Sequence, residues 1–191
     1  MLLDQERFGT AAKNAQALLE ESRRASFPIW AEAQLVAGQA LAHVGQYQQA
    51  QHIAHQAREA KPGLDPEMWI GEITNPKNVH PFFGVVAGVA AEKYLDAYHA
   101  AESVLTLIDT EQPDNLQWRV HVTAMQARAL FGLNDVSGAT TLAAESWRNS
   151  VAINSLVNQA RIEKLYHEMR KKSGKHAGVK SLGELIGVRI N

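Results

Sequence analysis

The sequence predicts an all-α protein, and three observations carry that prediction. Alanine is abundant while runs of β-branched residues are scarce, which favours helix over strand. Apolar residues recur at three- and four-residue spacing through most of the 191 residues. No segment alternates apolar with polar residues over a useful length, as a half-buried strand would. The composition, 46% hydrophobic and 20% charged, is that of an ordinary globular chain. Nineteen Lys and Arg against twenty Asp and Glu leave a net charge of −1. That balance gives no chain-wide electrostatic case for nucleic acid or an anionic membrane.

Helices are expected near 4–24, 30–44, 47–60, 80–91, 94–108, 116–132, 135–149 and 151–172, each with helical apolar period and free of internal proline clusters. Between them, 61–81 collects Pro62, Gly63, Pro66, Gly71, Pro76 and Pro81. Proline lacks an amide proton and fixes φ, so a long helix is not expected there. The tail 178–190 is expected to be a short capping helix. The same stretch superficially resembles the opening of a DNA-reading helix-turn-helix, but no recognition helix follows it before Asn191.

Internal repetition sets the expected architecture. The clearest unit is 31–63, with Gly38 and Leu41 on its first helix, a Gly45-Gln46-Tyr47 turn, Ala50, Ala54 and Ala57 on its second, and Pro62 at its close. Gly38 and Ala50 are small enough for two antiparallel helices to approach closely, and Gly45 supplies a left-handed backbone to end the first. Tyr47 is expected to fill the elbow. Looser copies follow. Val85 to Ala91 lead through a Glu92-Lys93 turn without glycine to Tyr94, Ala97, Ala101 and Val104. Ala127 and Leu130 lead through Gly132-Leu133-Asn134-Asp135-Val136 to Ala139, Ala143 and Ser146. At the front, Phe8, Ala11, Ala15 and Leu18 read as a second helix without its first.

The 31–63 pattern resembles the tetratricopeptide repeat. The stretch 76–149, with Asn78-Val79-His80 opening a helix and the elbow Gly132 to Ala139, resembles the C-terminal tetratricopeptide region of bacterial regulators with a Cro/repressor-type helix-turn-helix. The resemblance implies a right-handed superhelix of antiparallel helix pairs forming a single domain over 1–191. Its repeat-like units lie near 1–24, 30–63, 79–108 and 118–149, with capping helices over 151–191. It further implies a protein- or peptide-binding module, the sensing or dimerisation part of such a regulator; a passive assembly scaffold is the alternative. The chain has no room for a helix-turn-helix before Phe8, so direct nucleic-acid binding by this chain alone is not expected. Beginning in mid-repeat, it reads as a fragment or a truncated relative, and the apolar face of Phe8, Ala11, Ala15 and Leu18 suggests a homodimer.

Other chemistry is thin. The absence of cysteine removes disulfides, thiol nucleophiles and Cys-based zinc sites, and fits a reducing compartment. No stretch approaches the roughly 18 uncharged apolar residues of a membrane span. Asp4, Glu6 and Arg7 stand where a signal peptide needs an apolar core. A cytoplasmic protein without membrane contact is expected. No glycine-rich phosphate loop, nucleophile elbow or zinc-binding His-Glu-x-x-His helix occurs. His52 and His55, three apart, read as solvated surface histidines rather than metal ligands. No catalytic residue, cofactor or metal site is expected. The basic stretch 161–180, seven cations against Glu163 and Glu168, reads as a solvated tail or as an auxiliary contact to phosphates by a larger assembly.

In a superhelix of helix pairs the first helices line the concave face. Offsets from the small anchors place Glu32, Leu35, Val36, Gln39 and His43 there, then Val79, Phe82, Phe83 and Val86, then His121, Ala124, Met125 and Arg128. Asn154, Asn158 and Arg161 recur about one turn apart on the last long helix. The expected peptide-binding set is Gln39, His43, Phe82, Phe83, His121, Met125, Arg128 and Asn158: apolar floor for affinity, amides and guanidinium for a peptide backbone. Ordinary core packing is the competing reading for Phe82, Phe83 and Met125.

Overall fold

The computed structural model of the chain describes residues 7–22, 27–59 and 76–187. Every regular element among them is helical: α1 (Phe8–Ser22), α2 (Phe27–His43), α3 (Tyr47–Glu59), α4 (Pro76–Ala90), α5 (Tyr94–Glu111), α6 (Leu116–Gly132), α7 (Val136–Ala152), α8 (Leu156–Ser173) and α9 (Ala177–Leu185). None of these helices is long and apolar enough to cross a membrane. The chain divides after Lys93 into two compact units, Met1–Lys93 and Tyr94–Asn191.

One turn recurs and gives the chain its repeat-like character. At Gly45, Glu92, Asn134 and Asn154 the backbone enters the left-handed region, with φ of 83°, 58°, 65° and 58°. At each, the next residue's amide reaches back five residues: Gln46 to Leu41, Lys93 to Gly88, Asp135 to Leu130 and Ser155 to Ser150, at 2.8–2.9 Å. The left-handed residue itself bonds three residues back. This is the paired-bond ending that satisfies a helix's last carbonyls. Glycine, asparagine and, at one site, glutamate serve the same geometry. The glycine-free turn at Glu92-Lys93 therefore makes the same two backbone bonds as the others. The unit near 151–172 begins later than its periodicity suggests, because Asn154 is the turn residue and not a position on α8.

The stretch 61–81 departs from expectation at its end. α4 begins at Pro76, where a missing amide proton removes no helical bond, and it continues past Pro81. Residues 60–75, including Pro62, Gly63 and Pro66, lie outside the described residues. So do the side chains of Phe8, Glu32, Leu35, Ala54, Ala57 and Val79.

In the first unit α1 packs on α2, α2 on α3, and α4 on both. Ala11 and Ala15 of α1 are buried, as are Ala33, Ala37 and Ala40 of α2 and Ala50 of α3. Of the face of α1 expected to lack a partner, Ala11 and Ala15 are buried in this unit, where α1 packs on α2, while Leu18 stays exposed. In the second unit α6 packs on α5, α7 and α8, and α9 closes against α7 and α8. Ala127, Phe131, Ala139, Ala143, Ile162, Leu165, Tyr166, Met169, Val179 and Leu182 form one core. Ala97 and Ala139, expected small anchors, are fully buried. Ser146 shows why a small residue stands there: its hydroxyl donates 2.9 Å to the carbonyl of Val120, tying α7 to α6 at close approach. Asn115 and Asp135 cap α6 and α7, accepting from the amides of Trp118 and Gly138 at 3.2 and 2.9 Å. The tail helix α9 covers 177–185 of the stretch expected to be a short helix and buries Val179 and Leu182.

Candidate functional site

The structure sorts the eight expected groove residues by unit. Gln39, His43, Phe82 and Phe83 belong to the first; His121, Met125, Arg128 and Asn158 belong to the second.

In the first unit the groove floor is closed. Phe82 and Phe83 are buried in the core, at 5% and 3% exposure. A Cβ placed on Gly38 would fall inside the Phe83 ring. Gly38 is therefore small enough to admit an aromatic ring from α4. Neither phenylalanine offers an open face to a ligand, so the packing reading applies to them and the binding reading does not. Gln39 and His43 are half-buried on α2. Burial lowers the pKa of His43 below its ordinary 6.5, which keeps the ring neutral near pH 7. Val86, another expected groove position, is buried as well.

In the second unit four polar side chains meet between α6 and α8. Arg161 Nη1 donates 2.8 Å to Asn158 Oδ1 and lies 3.3 Å from His121 Nδ1. A guanidinium carries only donors, so His121 Nδ1 accepts and its proton sits on Nε2. The Asn158 amide donates 3.1 Å to the hydroxyl of Ser155, which precedes α8. Asn158 is 1% exposed, a buried bracket that holds Arg161 rather than a solvated amide facing a ligand; that expectation is corrected. Burial first, and the Arg161 charge second, push the His121 pKa down to about 3. A second cation across the same helix pair, Arg128, makes an ion pair with Glu168, both side chains about one-third exposed. Met125 lies half-buried one turn from each of these α6 residues.

Sequence reasoning noticed Arg161 and missed its role, and it assigned Glu168 only to the charge of the tail. The signal was present: 161 and 168 stand seven residues apart, two turns along one face of α8, as 121 and 128 do on α6. Pairing those faces predicts both contacts once the two helices are known to be neighbours. Asn154, expected beside Asn158 on one helix, lies instead in the preceding turn. His52 and His55 are exposed on α3. Among the described residues no three His, Asp or Glu side chains gather as a metal-binding group.

Arg161 is exposed at the surface while its Nη1 is fixed by groups on two helices, which presents a guanidinium in a preset plane. No protein-family model matches the chain, and comparison with curated proteins and with solved structures yields no match.

Proposed function

We propose that the chain is a protein-interaction module of tetratricopeptide kind, which takes a peptide or partner segment on the α6–α8 face. The observation that carries this reading is Arg161, steadied by His121 of α6 and Asn158 of α8. Such a guanidinium suits the carbonyls or carboxylates of an extended chain, and its ordering is already complete before binding. The repeated turn supports the repeat architecture, in which first helices supply the recognition face. The role as the sensing or dimerisation part of a bacterial regulator rests on sequence resemblance, and cytoplasmic residence accompanies it.

Thermal unfolding of the full chain against an array of short peptides tests the reading. A peptide at a hundredfold over its dissociation constant stabilises by about 2.7 kcal/mol, enough for a clear midpoint shift. Arg161→Ala should remove the shift measured from its own ligand-free midpoint, which is itself lowered because the buried Asn158 oxygen loses its donor. A passive scaffold shows no peptide-induced shift, and an equal shift in Arg161→Ala moves the binding face elsewhere.

A further inference from the structure

We propose that the outer edge of α8 binds the phosphodiester backbone of nucleic acid without reading its sequence. Charge in the second unit is segregated. Residues 94–115 carry Asp96, Glu102, Asp109, Glu111 and Asp114 and no Lys or Arg, whereas 156–180 carry seven cations and two acids. The net charge of −1 conceals this separation.

The fold gathers part of the basic run into one stripe. Three contacts from α8 to α6 fix its orientation: Arg161 to His121, Glu168 to Arg128, and Lys172 lying 5.7 Å over the Phe131 ring. Residues 161, 168 and 172 thus share the edge of α8 beside α6. Lys164 and Lys171 fall on the same edge by the three- and four-residue rule. Gly174 keeps helical dihedrals, φ −62° and ψ −16°, so the chain carries Lys175 onward in the same direction. The four lysines and Arg161 are all exposed. Arg161 to Lys172 spans about 16 Å at 1.5 Å per residue. α6, on the other side of the contact, has no acidic residue at all.

An exposed lysine row discriminates between polyanions. A carboxylate on a flexible peptide gains only about 0–1 kcal/mol from each surface ammonium, because both are well solvated and screened. Nucleic acid holds condensed counterions, and their release drives binding to such a row without any buried contact. Lysine, a mobile point charge, suits phosphates whose positions are not fixed by sequence. The inference does not depend on the peptide reading above.

The test titrates the full chain against a fluorescein-labelled 12-nucleotide oligothymidylate and a 12-base-pair duplex, with a length-matched oligoglutamate as competitor. Five cations engaging three to five phosphates predict a slope of log affinity against log salt of about −2 to −3.5 on the single strand. From 50 to 200 mM salt, affinity then falls about 16- to 130-fold. Lys164→Gln/Lys171→Gln/Lys175→Gln, which leaves Lys172 on Phe131, should weaken binding at least tenfold at 50 mM and flatten the slope. Lys13→Gln/Lys93→Gln/Arg148→Gln removes the same charge elsewhere and should bind as the parent does. Absence of binding at 50 mM, equal losses in the two triple variants, or displacement by oligoglutamate at matched charge would each overturn the proposal.

Discussion

Where α2 meets α4, a glycine lies under an aromatic ring; where α6 meets α8, a histidine and an arginine face an arginine and a glutamate. Both are contacts between helices of one unit. At the first, Gly38 carries no side chain and Phe83 fills the space, so the contact is dry and buried. At the second, α6 and α8 share the buried core of the unit, and along its edge Arg161 with His121 and Arg128 with Glu168 keep the surface polar. The difference teaches that a repeat-like frame does not dictate a groove. The residue pair at each crossing decides whether its edge is closed by apolar packing or left polar.

The largest expected effect tests the first contact. Phe83→Ala should cost about 3–5 kcal/mol, the range for emptying a buried aromatic site. Gly38→Ala should cost about 1–3 kcal/mol, because the ring it meets is enclosed and cannot swing aside. Denaturant unfolding measures both; a neutral Gly38→Ala would show that Phe83 is not held there.

The polar contact should respond next, and to pH. His121 titrates near 3 in the folded chain against an ordinary 6.5, so between those values the unfolded chain binds the proton and the folded one does not. Stability is therefore full above pH 6.5 and declines as pH falls towards 3. Unfolding midpoints at pH 7 and 4.5 should differ more in the parent than in His121→Gln. Because burial is the larger cause, Arg161→Gln should keep most of the dependence. Loss of the dependence in Arg161→Gln would make the charge, not the burial, dominant.

Asn158→Ala should cost about 1–3 kcal/mol, as much as Gly38→Ala, by stranding the groups it holds in a buried position. Arg128→Ala should cost no more than about 1 kcal/mol, since its ion pair is partly exposed and screened by salt. A large Arg128 effect that persists in high salt would mean the α6–α8 face is structural throughout. The smallest effect concerns the shared turn. Glu92→Gly should stabilise by up to about 1 kcal/mol, relieving a left-handed residue that carries a side chain, partly offset by the entropy of glycine. Chemical denaturation of that variant against Gly45→Ala, which should lose about as much, checks the equivalence of the turns.

How much was legible follows from the range of the forces involved. Helical period, the Gly45 turn, the small anchors Ala50, Ala97 and Ala139 and the short helix α9 are local or nearly local features. Backbone sterics and burial periodicity write them directly into the residue order. The start of α4 was hidden because proline signals an interruption and a helical first position alike. Of the candidate site, the sequence marked His121, Arg128, Asn158 and Arg161 as polar residues at helical spacing. It carried no sign that Asn158 is buried or that Phe83 belongs to Gly38, and the matched spacing of Arg128 and Glu168 became a contact only once α6 and α8 were neighbours. Those facts depend on which helices become neighbours across 40 or more residues. Such contacts are chosen by the packing of whole faces, so the helices were determined by the sequence read locally and the site only by their assembly.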